Sequence, residues 1–293
     1  MRHRKPLACS IAILIGLAGT YVTHISDAGT AQAMARIHGT NFFSDCRLSH
    51  AAPDDPIVHF GIRGGSHPHD FFGNTSTNAY STLASLRRHG TTCGRSADTA
   101  AYWVPALYQD GAVVKPLGID VYYQLRTTGR IEAFPPGLKI VAGNAAATSP
   151  QSTKVVFWDC AYPPGPGRHV SSPPKCPPRR PTMRRFRPDK AHLLLNVNFP
   201  DCWDGRRLDS SDHQTHMAYS VNLRCPRSHP VKVPKLRLSV MYPTRGGSGL
   251  AFASGGLISG HADFFNAWNQ SQLERIVAAC SAEKPHCAAA ADK

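Results

Sequence analysis

The chain has 293 residues, of which 42% are hydrophobic, so it can fill the core of one large β domain or of two small domains. Its formal net charge is +14, but eight lysines and arginines, with one aspartate, fall within residues 161–190. A charge excess concentrated in one segment favours a local contact with an anionic polymer over a nucleic-acid-binding fold.

The N-terminus has the pattern of a secretory signal peptide. A basic segment at residues 2–5 precedes an apolar run at residues 7–22, and Ala31-Gln32-Ala33 offers a cleavage site. The apolar run is shorter than the ~20 residues of a spanning helix. We therefore predict cleavage of residues 1–33 rather than retention as a membrane anchor, and no stable membrane span in residues 34–293.

The cysteine content agrees with export. Cys9 lies in the signal, and the even number that remains predicts four disulfides, for which 105 pairings exist. Cys280 with Cys287 is the simplest local pair, and Cys160 with Cys176 can tether the basic segment. No C-x-x-C motif indicates a zinc ribbon or a thioredoxin-like site. We predict a secreted or cell-surface protein.

The chain that follows predicts short elements. After a turn at residues 53–56 we expect a short strand at residues 57–60 and a helix over residues 78–89, capped by Gly90. Leu273, Ile276, Val277 and Cys280 have helical spacing, and Asn269 with Gln272 can cap that helix. Further short strands are predicted at residues 102–108, 121–126, 138–141, 155–158, 193–199, 217–221 and 236–242.

Many short strands, with 24 glycines and 24 prolines between and around them, favour a mainly β protein. We predict a single β-sandwich or jelly-roll-like domain over residues 34–293, with a few short helices. Residues 161–190, nine of which are proline, interrupt this order. Such a composition cannot build a core, and it predicts an extended surface insert that is either solvated or binds an anionic cell-wall polymer.

Three histidine clusters can carry chemistry. His67 and His69 are two residues apart, as are His261 and Asp263, and this spacing puts both side chains on one face of an extended backbone. Asp212-His213 with His216 is the third cluster. His67, His69, His216 and His261 can hold a divalent metal, although hydrogen bonding between loops explains the same residues without one.

The alternative chemistry is glycan hydrolysis by aspartates and histidines, because the chain has only three glutamates. The candidate catalytic residues are Asp70, Asp204, Asp212, His213 and His216. The candidate substrate-binding residues are His67, His69, Trp203, His261, Asp263 and Trp268, whose aromatic members can stack on sugars or simply fill the core. Most of the candidate catalytic residues concentrate at residues 199–219. The chain contains no G-x-S-x-G, P-loop or G-x-G-x-x-G motif.

Several motifs in order resemble one family. PDDPIV, SHPHDFFGN, AYWVPALY, PPGLK, FPDCWDG, LDSSDHQTHMAY and CPRSHPVKVPKL, from about Asp45 to Trp268, are similar to the family catalogued as domain of unknown function nineteen-ninety-six. The resemblance implies an exported protein and a carbohydrate or cell-wall context, and it assigns no residue a catalytic role.

Three functions remain open from the sequence. The preferred one is an exported hydrolase of a cell-wall or extracellular polysaccharide, with an Asp or His as general acid. The others are a non-catalytic glycan- or wall-binding protein that uses residues 161–190, and a histidine-ligated metal protein. None of the three has nucleic acid as a partner.

Overall fold

The fold is given by a computed structural model that describes residues 39–161, 169–177, 193–282 and 287. The predicted signal peptide lies outside the described residues. So does most of the basic insert, namely residues 162–168 and 178–190. No helix in the described part of the chain is long and apolar enough to cross a membrane.

The described residues contain sixteen β-strands and two α-helices. The strands are β1 (Asn41–Cys46), β2 (Leu48–Ala52), β3 (His69–Gly73), β4 (Ala101–Pro105), β5 (Leu107–Gln109), β6 (Ala112–Val113), β7 (Gly118–Gln124), β8 (Lys139–Gly143), β9 (Val156–Cys160), β10 (Leu193–Asn198), β11 (Cys202–Trp203), β12 (Met217–Ala218), β13 (Val231–Lys232), β14 (Lys235–Tyr242), β15 (Leu250–Phe252) and β16 (His261–Phe265). The helices are α1 (Leu83–Leu86) and α2 (Gln270–Ser281), and a 3-10 turn spans Leu257–Ser259.

Two five-stranded antiparallel sheets form the body of the fold. The first sheet has the order β1-β7-β14-β10-β9 and the second has the order β2-β3-β4-β16-β8. Their facing side chains, such as Leu195 and Leu238 from the first sheet and Tyr102 and Phe264 from the second, share one large buried core. Two smaller sheets, β12-β11-β13 and β15-β5-β6, complete the described strands. This architecture confirms the predicted mainly β fold of β-sandwich type.

The second sheet is buried on both faces, and this decides where the candidate site lies. Because side chains alternate along a strand, Phe72 points into the sandwich while Phe71 points to the outer face. On the outer face Phe71, Trp103 and Phe265 form a second apolar cluster, which Ile57 and Leu86 help to cover. The cover therefore comes from the segment before β3 and from α1.

The helical prediction is confirmed for α2, whereas the helix predicted around α1 is too long. In α2 the four predicted apolar residues are buried, and the predicted cap is present, since the Asn269 side chain accepts from the Gln272 N–H. In the predicted helix at residues 78–89, only Leu83–Leu86 is helical. Thr82 and Ser85 form a capping box there, so the helix begins at residue 83.

The strand predicted at residues 57–60 is wrong, because this segment forms turns. The Asp55 Oδ1 atom accepts the backbone N–H groups of Ile57 and Val58, at 2.8 and 3.0 Å. A carboxylate that binds the next two or three N–H groups stabilises a turn rather than an extended strand.

Four disulfides join the eight cysteines outside the signal, as predicted. Cys160–Cys176 and Cys280–Cys287 are the two pairs expected from spacing, and Cys46–Cys93 and Cys202–Cys225 are the other two. Four disulfides fit an extracellular protein.

Candidate metal centre

Three imidazoles meet on the outer face of the second sheet. The Nε2 atom of His261 lies 3.2 Å from Nε2 of His67 and 3.3 Å from Nε2 of His69. His69 is fully buried and His261 is 3% exposed, whereas His67 is only half-buried. The cluster is therefore enclosed on the sheet side and reaches solvent at His67.

The strand register explains why residues so far apart in sequence meet. β3 pairs with one edge of β4, and places His69 opposite Pro105. β16 pairs with the other edge of β4, and places Asp263 opposite Trp103. His261 precedes Asp263 by two residues, so it lies on the same face and at the level of Pro105. The two histidines thus flank Pro105 in one row across the sheet.

The edge strand β8 has a glycine, Gly143, at the position opposite His261, and the close packing there leaves no room for a side chain. Gly143 of β8 is the cross-strand partner of His261 and has φ +84°. A Cβ atom at this position would lie 2.6 Å from the Gly260 carbonyl oxygen and 3.0 Å from the His261 Cα. A side chain at Gly143 would therefore displace the start of β16.

The hydrogen bonds at Nδ1 fix the orientation of two of the rings. His69 Nδ1 lies 3.0 Å from the Asp54 carbonyl oxygen, and His261 Nδ1 lies 2.8 Å from the Ser259 carbonyl oxygen. A carbonyl oxygen only accepts, so each Nδ1 carries the proton and donates it. In the neutral rings both Nε2 atoms are then bare acceptors, and they face each other at 3.3 Å.

Burial keeps these rings neutral. Burial, followed by the neighbouring His261 and His67, holds the pKa of His69 well below its usual range. Burial also lowers the pKa of His261 to about 4. Two neutral acceptor nitrogens cannot form a hydrogen bond with each other. His67 Nε2, 3.2 Å from His261 Nε2, can donate to His261 in one tautomer, but no other contact in the described residues satisfies the lone pair of His69 Nε2.

The geometry fits a transition-metal ion. Zinc–nitrogen bonds of about 2.0–2.1 Å at tetrahedral angles place two ligand nitrogens about 3.3 Å apart. Histidine ligands of metals also usually donate the second ring N–H to a carbonyl or carboxylate, as His69 and His261 do here. His67, His69 and His261 thus have the donor atoms of a three-imidazole site. His261 has the required spacing to both other rings, and His69 and His261 have the supporting hydrogen bonds.

Two buried carboxylates lie beside the imidazoles. One oxygen of Asp55, one oxygen of Asp263 and a ring nitrogen of His69 all lie within 4.8 Å of one another. Both oxygens of Asp263 are buried without a hydrogen-bond partner. Burial, and then the nearby Asp55, holds the pKa of Asp263 well above its usual range. Burial also raises the pKa of Asp55, although two backbone N–H groups oppose this.

The segment at residues 53–67 carries part of this centre and is held down by Asp54. The two carboxylate oxygens of Asp54 accept the backbone N–H groups of Gly64 and Ala79, at 2.8 and 3.3 Å. The Ser66 N–H donates to the Pro53 carbonyl oxygen, which closes the segment on itself. Asp54 therefore contributes twice, because its own carbonyl also orients His69.

Asp70 is not part of this cluster. It follows His69 in β3 and so points to the opposite face, into the sandwich, where it lies near Tyr242. Burial raises its pKa to about 7, which Lys115 partly opposes. The structure therefore separates Asp70 from the histidines with which the sequence grouped it.

In the loop formed by residues 199–219, the two predicted catalytic aspartates stabilise turns. Asp204 Oδ1 accepts from the N–H groups of Arg206 and Arg207, and Asp204 Oδ2 accepts from the Arg207 Nε at 2.7 Å. Asp212 Oδ1 accepts from Ser210, Gln214 and Thr215. Hydrogen bonds, first that from the Ser210 hydroxyl, hold the pKa of Asp212 well below its usual range.

The two histidines of the same loop are also engaged. His213 Nδ1 lies 2.9 Å from Asp209 Oδ1. His216 is fully buried, with Nδ1 2.9 Å from the Ser210 hydroxyl and Nε2 2.7 Å from the Lys139 carbonyl oxygen. Both nitrogens of His216 are thus occupied, and Lys139 is at the end of β8 remote from Gly143 and His261. His216 is therefore not a fourth imidazole of the cluster.

The predicted sugar-binding tryptophans lie apart from the imidazoles. Trp203 is half-buried, and its Nε1–H donates to the Arg207 carbonyl oxygen. Trp268 has no exposed surface and donates from Nε1 to the Tyr123 hydroxyl, 2.8 Å away. Tyr123 in turn contacts the Tyr102 hydroxyl at 2.6 Å. Trp268 is thus a core residue, which corrects its prediction as a substrate-binding one.

One cavity borders β8, the strand that pairs with the His261 strand, and none of the three imidazoles is among its lining residues. It has a volume of about 240 Å³ and is lined by Val141, Gly143, Gln151, Pro200, Gln214 and Tyr219, among others. Gly143 is the partner of His261, and Gln214 donates to the Gly143 carbonyl oxygen at 3.4 Å. The 199–219 loop therefore forms a wall of a space beside β8, although its own charged groups are engaged elsewhere.

The sequence did not identify Asp54 and Asp55 as site residues. Their only signal was the PDDP turn, which lies a short distance before His67 in the sequence. In the structure, His59 and His213 lie close enough to Asp55 to lower its pKa. Asp55, in the acidic turn, is therefore within electrostatic range of His59 and His213.

The family comparison supports the resemblance noted in the sequence. A model for a domain of unknown function, DUF1996, matches residues 55–268. The chain belongs to this family. The matched residues include Asp55 and the three imidazoles as well as the 199–219 loop. No curated protein and no solved structure matches the chain.

Proposed function

We propose that the protein binds a divalent transition-metal ion through His67, His69 and His261. One observation supports this proposal above the others. The Nε2 atoms of His69 and His261 are 3.3 Å apart, while both Nδ1 atoms donate to carbonyl oxygens. A cation between the rings satisfies both lone pairs at once, whereas a hydrogen bond from His67 can satisfy only that of His261.

The ligand set favours zinc or copper. Neutral imidazole suits these ions, whereas magnesium and calcium prefer oxygen ligands. Three protein nitrogens leave at least one coordination position for water, and the half-buried His67 marks the side from which water can enter. An ion held in this way lowers the pKa of a bound water and so can supply a nucleophile.

We place this function outside the cell, as a secreted or cell-surface protein. The signal-like residues 1–33 and the four disulfides support this location. Detection of the protein in culture medium, with an N-terminus near residue 34, tests it. A protein that remains in the cell with reduced cysteines contradicts it.

The decisive experiment is metal analysis of protein purified without a polyhistidine tag. After removal of metal with a chelator, the protein is dialysed against zinc or copper and its metal content is measured by plasma mass spectrometry. In each dialysis, against zinc alone or against copper alone, we expect one ion per chain, bound by the three imidazoles. We expect at least a roughly 100-fold weaker affinity in His261→Ala, because one of three ligands is lost.

The matched control is His89→Ala, which removes an exposed imidazole that no side-chain hydrogen bond engages in the described residues. Its metal content should equal that of the wild type. Wild-type protein that binds neither zinc nor copper, or His261→Ala protein that binds as tightly as wild type, contradicts the proposal.

Hydrolysis of a cell-wall or extracellular polysaccharide is the second candidate function. The cavity of about 240 Å³ beside β8 favours it, because Tyr219 and Gln214 offer an aromatic ring and an amide to a sugar. In this case a metal-bound water, rather than a pair of carboxylates, is the nucleophile, since Asp204 and Asp212 are held by hydrogen bonds within their loop.

Incubation of zinc-loaded protein with a panel of wall polysaccharides tests this second function. Release of reducing ends or of acyl groups is expected from wild type and from Val221→Ala, which changes an exposed residue outside the cavity lining named above. Both His261→Ala and Tyr219→Ala should reduce that release at least about 10-fold. No release from any polysaccharide by metal-loaded wild type excludes this function for the panel and leaves metal binding intact.

A further inference from the structure

The carboxylates of Asp55 and Asp263 lie beside the three imidazoles and have no role in the proposed three-imidazole site. Asp263 is 1% exposed, and neither of its oxygens has a hydrogen-bond partner in the described residues. Asp55 is 4% exposed and uses Oδ1 to accept two backbone N–H groups. A buried carboxylate without partners is costly, so a structure that keeps one next to another acid needs a reason.

We propose that Asp55 and Asp263 form a second cation position, so that the centre holds two divalent ions side by side. The proposal builds on the proposed function, because the first ion is the one held by His67, His69 and His261. The second ion takes oxygen ligands and therefore belongs to the class of manganese and magnesium rather than of copper.

The spacing of the carboxylates supports a cation between them. One oxygen of Asp55 and one of Asp263 lie within 4.8 Å, yet no hydrogen bond joins the two side chains in the described residues. Oxygen ligands of a divalent cation, at about 2.0–2.2 Å from the ion, lie up to about 4.4 Å apart. The pair therefore shares no proton, and its upper limit of 4.8 Å is close to the span of two oxygen ligands of one cation.

The strand register separates the second position from the first. Asp263 lies opposite Trp103, whereas His69 lies opposite Pro105, two residues further along β4. His69 is near both positions, but its Nδ1 donates to Asp54, so only Nε2 remains to bind an ion. Because one nitrogen binds one ion, His69 is a ligand of the first ion. The second ion is then bound by the carboxylate oxygens and by water.

The charges agree with this arrangement. Three neutral imidazoles provide no charge to balance an ion, whereas two carboxylates provide two negative charges. A divalent cation neutralises the pair and keeps both acids ionised in a buried place. Two ions in neighbouring positions also form the arrangement that enzymes use to hold the attacking and leaving oxygens of one substrate.

The test uses the full-length, zinc-loaded protein and manganese as the probe. Free manganese gives a six-line electron paramagnetic resonance signal, and binding removes it. We expect wild type to bind one manganese ion per chain in addition to its zinc. In Asp263→Asn we expect manganese affinity to fall at least about 10-fold while zinc content stays at one ion per chain. Asp110→Asn changes an exposed carboxylate in the turn between β5 and β6 and should behave as wild type.

Thermal unfolding without metal shows whether the variant folds. Because neither oxygen of Asp263 has a hydrogen-bond partner in the described residues, the substitution breaks no hydrogen bond, and the melting temperature of Asp263→Asn protein should equal or exceed that of wild type. If the melting temperature of Asp263→Asn falls instead, the manganese titration is done with Asp55→Asn, in which manganese affinity should also fall at least about 10-fold.

The possible failures are distinguishable. Wild type that binds zinc but no manganese overturns the second position and leaves the proposed function standing. An Asp263→Asn protein with weakened zinc binding also overturns it, because Asp263 is then a ligand of the first ion. Wild type that binds neither zinc nor copper contradicts the proposed function itself.

Discussion

The centre at His67, His69 and His261 and the loop at residues 199–219 contain the same residue types but use them differently. In the loop, the imidazole of His216 and the carboxylate of Asp212 are each bound to two or more partners within the protein. In the centre, acceptor nitrogens face each other and the oxygens of Asp263 face no donor in the described residues.

This difference separates a structural role from a binding role better than residue type does. A polar group whose partners all lie within the protein stabilises the fold. A buried polar group that lacks a partner stays costly until something else binds it. The 199–219 loop has the higher density of histidines and aspartates in the sequence. The polar groups without a partner, however, lie in the centre at His67, His69 and His261.

The largest effect that tests this comparison is stabilisation by metal. At free zinc about 1,000 times the dissociation constant, the free energy of unfolding should rise by about 4 kcal/mol, because only the folded chain assembles the three imidazoles. Denaturant unfolding with and without zinc measures it. His69→Ala, in which the affinity falls at least about 100-fold, should reduce the increase to about 1.4 kcal/mol or less, and an increase that stays near 4 kcal/mol in this variant places the ion elsewhere.

A smaller and opposite effect is expected from His216→Ala. This change removes the hydrogen bonds of His216 to the Lys139 carbonyl oxygen and to the Ser210 hydroxyl, which keeps its bond to Asp212, and it opens a buried cavity. It should lower the free energy of unfolding by about 2–3 kcal/mol. Zinc content should stay that of wild type when it is measured below the unfolding transition. A loss of zinc in the folded variant would make His216 a part of the centre after all.

At the surface of the loop, Asp209→Asn should have a weak effect. Asp209 contacts His213 Nδ1 at 2.9 Å and Lys139 Nζ at 3.4 Å, and about a quarter of its side chain is exposed. Exposed ion pairs contribute about 0.2–1 kcal/mol, so the free energy of unfolding should fall by no more than about 1 kcal/mol. Salt should reduce the difference between wild type and variant, and a difference that salt does not change would point to packing instead.

The smallest effect is a local response to acid. The pKa of Asp212 is held below the ordinary value of 3.8, so its ionised form is favoured in the folded chain. Its contribution is therefore present above pH 3.8 and is lost as the pH falls through the lower, folded value. The Gln214 and Thr215 amide resonances, which report the hydrogen bonds to Asp212, should shift only below pH 3.8. In Asp212→Asn that shift should be absent, and a midpoint above pH 3.8 contradicts the proposed role.

The local part of this structure could be predicted from sequence. Helical spacing predicted α2, and short apolar runs predicted the three central strands of the first sheet and β4 of the second, but not β3 or β16. The predicted helix at residues 78–89 failed because side chains such as Thr82 and Ser85 bind the nearby backbone and confine the helix to four residues. The strand expected at residues 57–60 failed for a similar reason, since Asp55 bends the chain there.

For the candidate site, sequence spacing predicted that two pairs of side chains each share a face, but it did not predict that the two pairs lie close together in the fold. Two residues apart in an extended chain, His67 and His69 share a face, as do His261 and Asp263. That the two pairs lie together depends on the position of β3 and β16 on either side of β4, which no local pattern contains. The inclusion of His216 rested on residue type alone, and its partners became visible only in the fold.

The place of β4 between β3 and β16 also determines when the centre can come into existence. His69 and His261 are 192 residues apart, and nothing holds them together until the C-terminal strand has paired with β4. An incomplete or unfolded chain has only the neighbouring His67 and His69, which is too few ligands to retain an ion. The compartment in which the chain completes its folding therefore decides which metal it meets first, and a chain that folds after export selects its ion from the surroundings of the cell.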